Sequence, residues 1–166
     1  MGLLKYIKQD FESGNLLRLY FGGKGSQAII LFRLSQYYYQ HNHKVLSFLI
    51  KNRNIRLTGC DIDPAAQIGK GLKIGHPVGI VISGKAVLGE NVIVHTGVVI
   101  GTQHKEKWDA NVHIGNDVEL GVGAKLLGDI TIGDHVIVGA NAVVLSDVPS
   151  DSIAVGIPAK VKEKIK

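Results

Sequence analysis

Two side chains fifteen residues apart pose the chemical question: Asp61 in GCDIDPAAQIG and His76 in LKIGHPVGIVIS. The second stretch is otherwise mostly aliphatic or glycine, so an imidazole there needs a reason. A carboxylate beside an imidazole fixes its tautomer and stabilises its protonated form, which makes a general base. The same pair also fits a structural part, with Asp61 capping a turn and His76 filling a corner. Residue type alone leaves the two readings level.

Other reactive side chains are scattered. His95, in VHTG, is expected to point outward and is a candidate lining residue of a cleft. His104, Trp108, Asp109 and Asn111 fall in the polar stretch TQHKEKWDANVH, and are candidate substrate contacts. His41, His43, His113 and His135 read as surface residues. A zinc site needs about three converging nitrogen or sulfur ligands. His76, His95 and His104 are the only set to consider, and no close histidine pair accompanies them, so no metal is expected. The single cysteine, Cys60, adjoins Asp61, and no other residue supports a covalent role for its thiol.

What would position these groups is a repeat. Aliphatic residues recur every six positions at Ile62, Ile68 and Ile74, slip by two, and continue at Ile82, Leu88, Val94 and Ile100. After residues 102–113 they resume at Ile114, Leu120, Leu126, Ile132, Val138 and Val144. A glycine commonly follows, as at Gly69, Gly75, Gly89 and Gly115, and is expected to free the backbone at corners. A small or branched residue comes four positions after the aliphatic ones of the unbroken repeat, among them Ala66, Leu72, Val78 and Ala86. A period of six is neither helical nor a simple alternation; it suits a β-solenoid whose coils stack their interiors on one another. On that reading Ile74 and Val78 point inward, and the polar insert must project from a corner. Adjacent coils lie about 4.8 Å apart, so residues offset by nearly one coil, as Asp61 and His76 are, can meet.

Before the repeat, GLLKYIKQDF, GSQAIILFRLSQYYYQ and HKVLSFLIKN carry helical spacing. The chain therefore divides into a helical segment over 1–56, a solenoid over 57–150 and a basic tail over 151–166. The 166 residues carry a net charge of +5, with 45% hydrophobic and 6% aromatic content. The cations form no run with interleaved aromatics, which argues against a nucleic-acid partner. The absence of a long apolar run points to no integral membrane segment, and the cysteine content with no apparent leader points to the cytoplasm.

The stretches DIDPAAQIGKGLKIGHPVGIVI and IGNDVELGVGAKLLGDITIGDHVIVGANAVVLSDVPSDSIAVGIPAKV resemble the hexapeptide-repeat acyltransferases, in particular the serine acetyltransferase-like branch and related sugar O-acetyltransferases. The likeness runs over residues 25–162. It implies a left-handed parallel β-helix with a short N-terminal α-helical cap, assembled as a homotrimer with sites between subunits. It implies acetyl-CoA as donor, lying near Gly101, Thr102, Val122, Gly123, Ala140 and Lys160, with His76 and Asp61 as the base dyad.

The sequence also departs from that branch. Serine acetyltransferases carry an aspartate before the histidine and an Arg-His pair after the loop, where this chain has Gly75 and then Ala110 and Asn111. A site built to hold a zwitterion loses specificity when its polar partners are missing. The expected acceptor is therefore a sugar or polysaccharide hydroxyl, with serine as the alternative and a non-catalytic scaffold as a further one.

Overall fold

A computed structural model describes residues 3–11, 16–102 and 111–163. Four helices come first: α1 (Leu3–Lys8), α2 (Leu16–Gly22), α3 (Lys24–Gln40) and α4 (Lys44–Thr58). The short α2 had no counterpart in the helical spacing. Helix α4 ends on Gly59, whose φ of 75° is the left-handed cap that glycine takes without a Cβ penalty.

Short strands then wind into a parallel β-helix of the left-handed type, about four turns long. One face stacks β1 (Asp61–Ile62), β4 (Val81–Ile82), β7 (Val99–Gly101), β10 (Lys125–Leu127) and β13 (Val143–Val144). The second stacks β2 (Gln67–Ile68), β5 (Val87–Leu88), β8 (Val112–Ile114) and β11 (Ile130–Ile132). The third stacks β3 (Lys73–Ile74), β6 (Ile93–Val94), β9 (Glu119–Leu120), β12 (Ile137–Val138) and β14 (Ser152–Val155); β15 (Lys160–Glu163) returns antiparallel on β14. The tail thus contributes a last rung before turning back.

The register measures each interruption. Asp61 pairs with Val81, Val81 with Val99, Val99 with Lys125 and Lys125 with Val143. The first step is two residues longer than eighteen, and the third contains the insert. All thirteen aliphatic positions of the repeat are buried, each at 8% exposure or less. The described residues four positions on are buried too, with one exception. Val78 is 65% exposed, and Ile80 fills the interior place instead. The two extra residues are accommodated at the corner after β3, where they lift Val78 out and bring Ile80 in, so the inward assignment of Val78 is corrected.

The repeat glycines also act differently from expectation. A Cβ on Gly69 would lie 2.5 Å from the Gly89 carbonyl oxygen, and one on Gly89 would lie 2.7 Å from the Gly115 backbone. These glycines permit coils to stack closely. Left-handed backbone falls at other positions of the corners, in two stacked rows: Gly79, Gly97, Gly123 and Asn141 in one, Gly71, Asn91, Asp117, His135 and Asp151 in the other, where Gly71, Asn91 and Asp117 come two residues after Gly69, Gly89 and Gly115 in the same turns.

The helical cap closes the first coil through buried polar groups. Arg33, fully buried, donates to both Asp10 oxygens, to Gln36 Oε1 and to the carbonyls of Ile68 and Gly69. Asp10 also accepts from the Leu72 N–H at 2.9 Å. An open solenoid end presents backbone groups that would aggregate if left bare, and these contacts answer them. Between α3 and α4 the buried seam is polar as well, with Ser35 and Ser47 exchanging hydroxyl-to-carbonyl bonds and Asn54 donating to the Ala28 carbonyl. Val45, Phe48 and Leu49 of α4 stay on the outside.

Candidate active site

Asp61 opens β1, at the point where the chain leaves α4 and enters the first face. Its amide donates to the Ile80 carbonyl at 2.9 Å, and Gly79 donates to the Gly59 carbonyl at 3.0 Å. The corner that carries His76 therefore sits one coil from Asp61, on the same edge. His76 itself is exposed and makes no hydrogen bond among the described residues. The Asp61 carboxylate is turned to another partner: Oδ1 lies 3.0 Å from Lys51 Nζ, which also reaches Asp63 Oδ2 at 3.4 Å. The Asp61 contact is ionic without hydrogen-bond alignment, and this oxygen is buried with no hydrogen bond. Burial alone would lower the Lys51 pKa, yet the two carboxylates outweigh it and hold the ammonium above its ordinary value.

These groups line an open cavity of about 560 Å³ on the face formed by β1, β4 and β7. Its polar wall is Lys51, Asp61, Asp63, Ser83, Lys85 and Thr102, and Gly101 closes it beside apolar Val81, Val99 and Leu127. Ser83 Oγ is buried here without a hydrogen bond. The cavity unites one predicted catalytic residue, Asp61, with two predicted donor-site residues, Gly101 and Thr102.

The remaining predicted residues group along a different line. Thr96 Oγ1 donates to the Val78 carbonyl at 2.7 Å, Gly123 donates to the Thr96 carbonyl at 2.8 Å, and Asn141 to the Val122 carbonyl at 2.8 Å. The corners bearing His76, His95, Val122 with Gly123, and Ala140 are thus stacked rungs of one edge. Val122 is 47% exposed on it. His95 Nε2 lies 2.9 Å from Glu119 Oε1, so its ring is held by a neighbouring coil. Lys160 is exposed on β15 and does not line the cavity. The Asn111 amide lies 3.4 Å from Asp129 Oδ1. His104, Trp108, Asp109 and Ala110 lie outside the described residues.

Among the described residues, no group of three histidine, cysteine or carboxylate side chains converges as a metal site. Cys60 is fully buried, and burial first, then the Asp61 charge, pushes its thiol up to about 12. A thiolate nucleophile there is excluded at neutral pH, because the thiol stays protonated.

Sequence reasoning missed Lys51, Ser83 and Lys85. Lys51 stands ten residues before Asp61 on a helix, where the six-residue period gives no signal. Only the packing of α4 on β1 brings it into place.

A stacked parallel solenoid with buried aliphatic rungs defines the class, the bacterial hexapeptide transferases. The family model described as "Bacterial transferase hexapeptide (six repeats)" matches residues 111–146. Relatives sharpen this. A serine acetyltransferase of Helicobacter pylori is 36% identical over 95% of this chain and 92% of its own length. One from Synechococcus elongatus is 37% identical over 93% of this chain, which spans 64% of that enzyme. The solved serine acetyltransferase of Neisseria gonorrhoeae superposes with a TM-score of 0.86 at 34% identity, covering 99% of this chain and 68% of that one. A serine acetyltransferase structure in complex with CoA gives 0.83 at 30% identity, covering 96% and 69%. The chain belongs to the serine acetyltransferase family, and so to the acyltransferases. This corrects the expectation of a sugar or polysaccharide acceptor, because the relatives that match nearly the whole chain are named for serine. The motif positions Gly75, Ala110 and Asn111 carry no charge, yet Lys51, Asp63 and Lys85 bring charge of both signs to one cavity wall from elsewhere in the chain, so empty motif positions do not exclude a charged acceptor.

Proposed function

We propose that the protein transfers the acetyl group of acetyl-CoA to the hydroxyl of serine. The observation that carries this reading is that relatives named for serine match nearly the whole chain, and the cavity wall agrees with it, since Lys51, paired with Asp61 and Asp63, and Lys85 give it charge of both signs. A zwitterionic acceptor needs an anion for its ammonium and a cation for its carboxylate, and a neutral sugar needs neither. The family relation and the CoA-bound relative support the same donor and acceptor.

In this mechanism His76 takes the proton of the serine hydroxyl as its oxygen attacks the thioester carbonyl. Asp61 serves as the anion that orients the imidazole and offsets its charge. The tetrahedral centre then expels CoA thiolate, which recovers the proton from the imidazolium. Backbone N–H groups near Gly101 and Thr102 stabilise the oxyanion. CoA extends along the edge of Val122, Gly123 and Ala140 towards Lys160, with His95 and the insert residues His104, Trp108, Asp109 and Asn111 bordering the acceptor. We also propose a homotrimer that brings these edges into clefts. The outward row of the first face carries Val81, Val99 and Val143 with Lys125 between the last two and Asp61 at its start, and Val78 and Val122 add exposed apolar surface around the corner. Among the described residues no helix is long and apolar enough to cross a membrane; a cytoplasmic site of action belongs to this proposal.

The test is release of free CoA thiol with L-serine, with O-acetylserine identified by mass. His76→Ala is expected to lose transfer at least about 100-fold while its mass by light scattering stays that of the wild type. No CoA release by the wild type at saturating serine refutes the function, and full activity of His76→Ala refutes the base.

A further inference from the structure

Helix α4 delivers a charge to the solenoid as well as covering its end. Lys51 Nζ stands 3.0 Å from Asp61 Oδ1 and 3.4 Å from Asp63 Oδ2, and its side chain is only 18% exposed. Asp63 has a second anchor, since its Oδ1 accepts from the Ala65 amide at 2.9 Å. The Asp61 Oδ1 has none, being buried without a hydrogen bond. One ammonium from another element is therefore all that compensates this oxygen among the described residues.

We infer that Lys51 is a positioning residue of the acetyl-transfer site, holding Asp61 ionised and in one orientation for the imidazole. The inference rests on the proposed role of Asp61. Removing the ammonium leaves two carboxylates facing each other across a partly desolvated wall. One must then turn to solvent or take up a proton. Either change removes the fixed anion that an imidazolium needs. Cys60, beside Asp61, stays a neutral thiol and supplies no charge in its place. Arginine at position 51 keeps the charge and the reach; methionine keeps only the bulk.

The experiment compares Lys51→Met, Lys51→Arg, Asp61→Asn and the Lys51→Met/Asp61→Asn pair by initial rates with acetyl-CoA and serine. Folding is checked by circular dichroism and rates are taken well below the melting temperature. Lys51→Met is expected to lower kcat about 10- to 100-fold, the scale of one lost charge-assisted contact. The KM for acetyl-CoA should stay within about twofold, and Lys51→Arg should recover most of the rate. The double variant should be no slower than Asp61→Asn alone, because both changes disable one unit. Wild-type kcat in Lys51→Met with Asp61→Asn inactive overturns the inference and leaves the function standing. Multiplying losses in the double variant also overturn it. Full activity of Asp61→Asn instead overturns the role of Asp61. Should the methionine variant not fold, Lys51→Gln carries the same comparison.

Discussion

Arg33→Met is expected to be the most destabilising single change in the cap. The guanidinium has five N–H donors, and each meets an acceptor: two on Asp10, one on Gln36, and the carbonyls of Ile68 and Gly69. Both partners of the pair are buried, with side-chain exposures of 1% and 0%. Methionine restores much of the apolar volume but none of the donors. It leaves the Asp10 carboxylate with the Leu72 amide as its remaining described partner, and strips two carbonyls on the edge of the first coil. Breaking a buried pair from one side costs about 3–5 kcal/mol, most of it the uncompensated partner. The assay is urea unfolding at one fixed protomer concentration, since assembly contributes to apparent stability. Asp10→Asn should lose a comparable amount, and the double variant should lose at least about 1 kcal/mol less than the sum, because the second change removes the charge that the first left stranded. A loss below about 1 kcal/mol for Arg33→Met, or strict additivity, refutes the view that this cluster seals the coil.

Two further predictions concern single positions. A Cβ at Gly89 would stand 2.5 Å from Asn116 Oδ1 and 2.7 Å from the Gly115 carbonyl, whereas one at Gly75 meets nothing within 4 Å. Gly89→Ala should therefore cost about 1–3 kcal/mol and Gly75→Ala stay within about 0.5 kcal/mol, read as melting temperatures; equal effects would contradict the close-stacking role. Cys60 should resist iodoacetamide at pH 8 in the native protein and react once it is unfolded. Its folded pKa is raised from 9.0 to about 12, so its contribution to stability is whole below pH 9.0 and is lost as pH rises towards about 12. Rapid native alkylation, or stability that does not fall across that window relative to Cys60→Ala, contradicts the buried neutral thiol.

The solenoid was legible because its cause is local and repeated. Each coil must place an aliphatic side chain inward at a fixed step, and Ile62 to Val144 show that step directly. The same regularity misled at Val78, where the count continued across a two-residue insertion that the corner absorbs. Helix α4 was harder to orient because its buried residues, Ser47, Asn54 and Thr58, are polar. Ser47 goes inward by bonding Ser35 and Asn54 by donating to the Ala28 carbonyl, while Leu49 stays outside. A hydrophobic pattern carries no information about such a seam, since burial there is decided by hydrogen bonds between elements distant in the chain.

The acceptor shows why a site is less legible than a fold. Motif positions answer whether a particular side chain occurs at a particular place; recognition depends on the field in a cavity, which any element can supply. Gly75, Ala110 and Asn111 suggested a site stripped of the charges that hold an amino acid. The folded chain brings Lys51 from a helix, Asp63 from the first coil and Lys85 from the second to the wall that Asp61 occupies. None of the three lies at a motif position, and their spacing along the chain has no period. Their convergence follows from α4 ending on Gly59, which turns the chain directly into β1 beneath the helix that carries Lys51. A short connection at one helix end thus sets which charges this wall carries, and on the proposed serine reading exchanging those charges is a more direct route to a changed acceptor than restoring the motif residues.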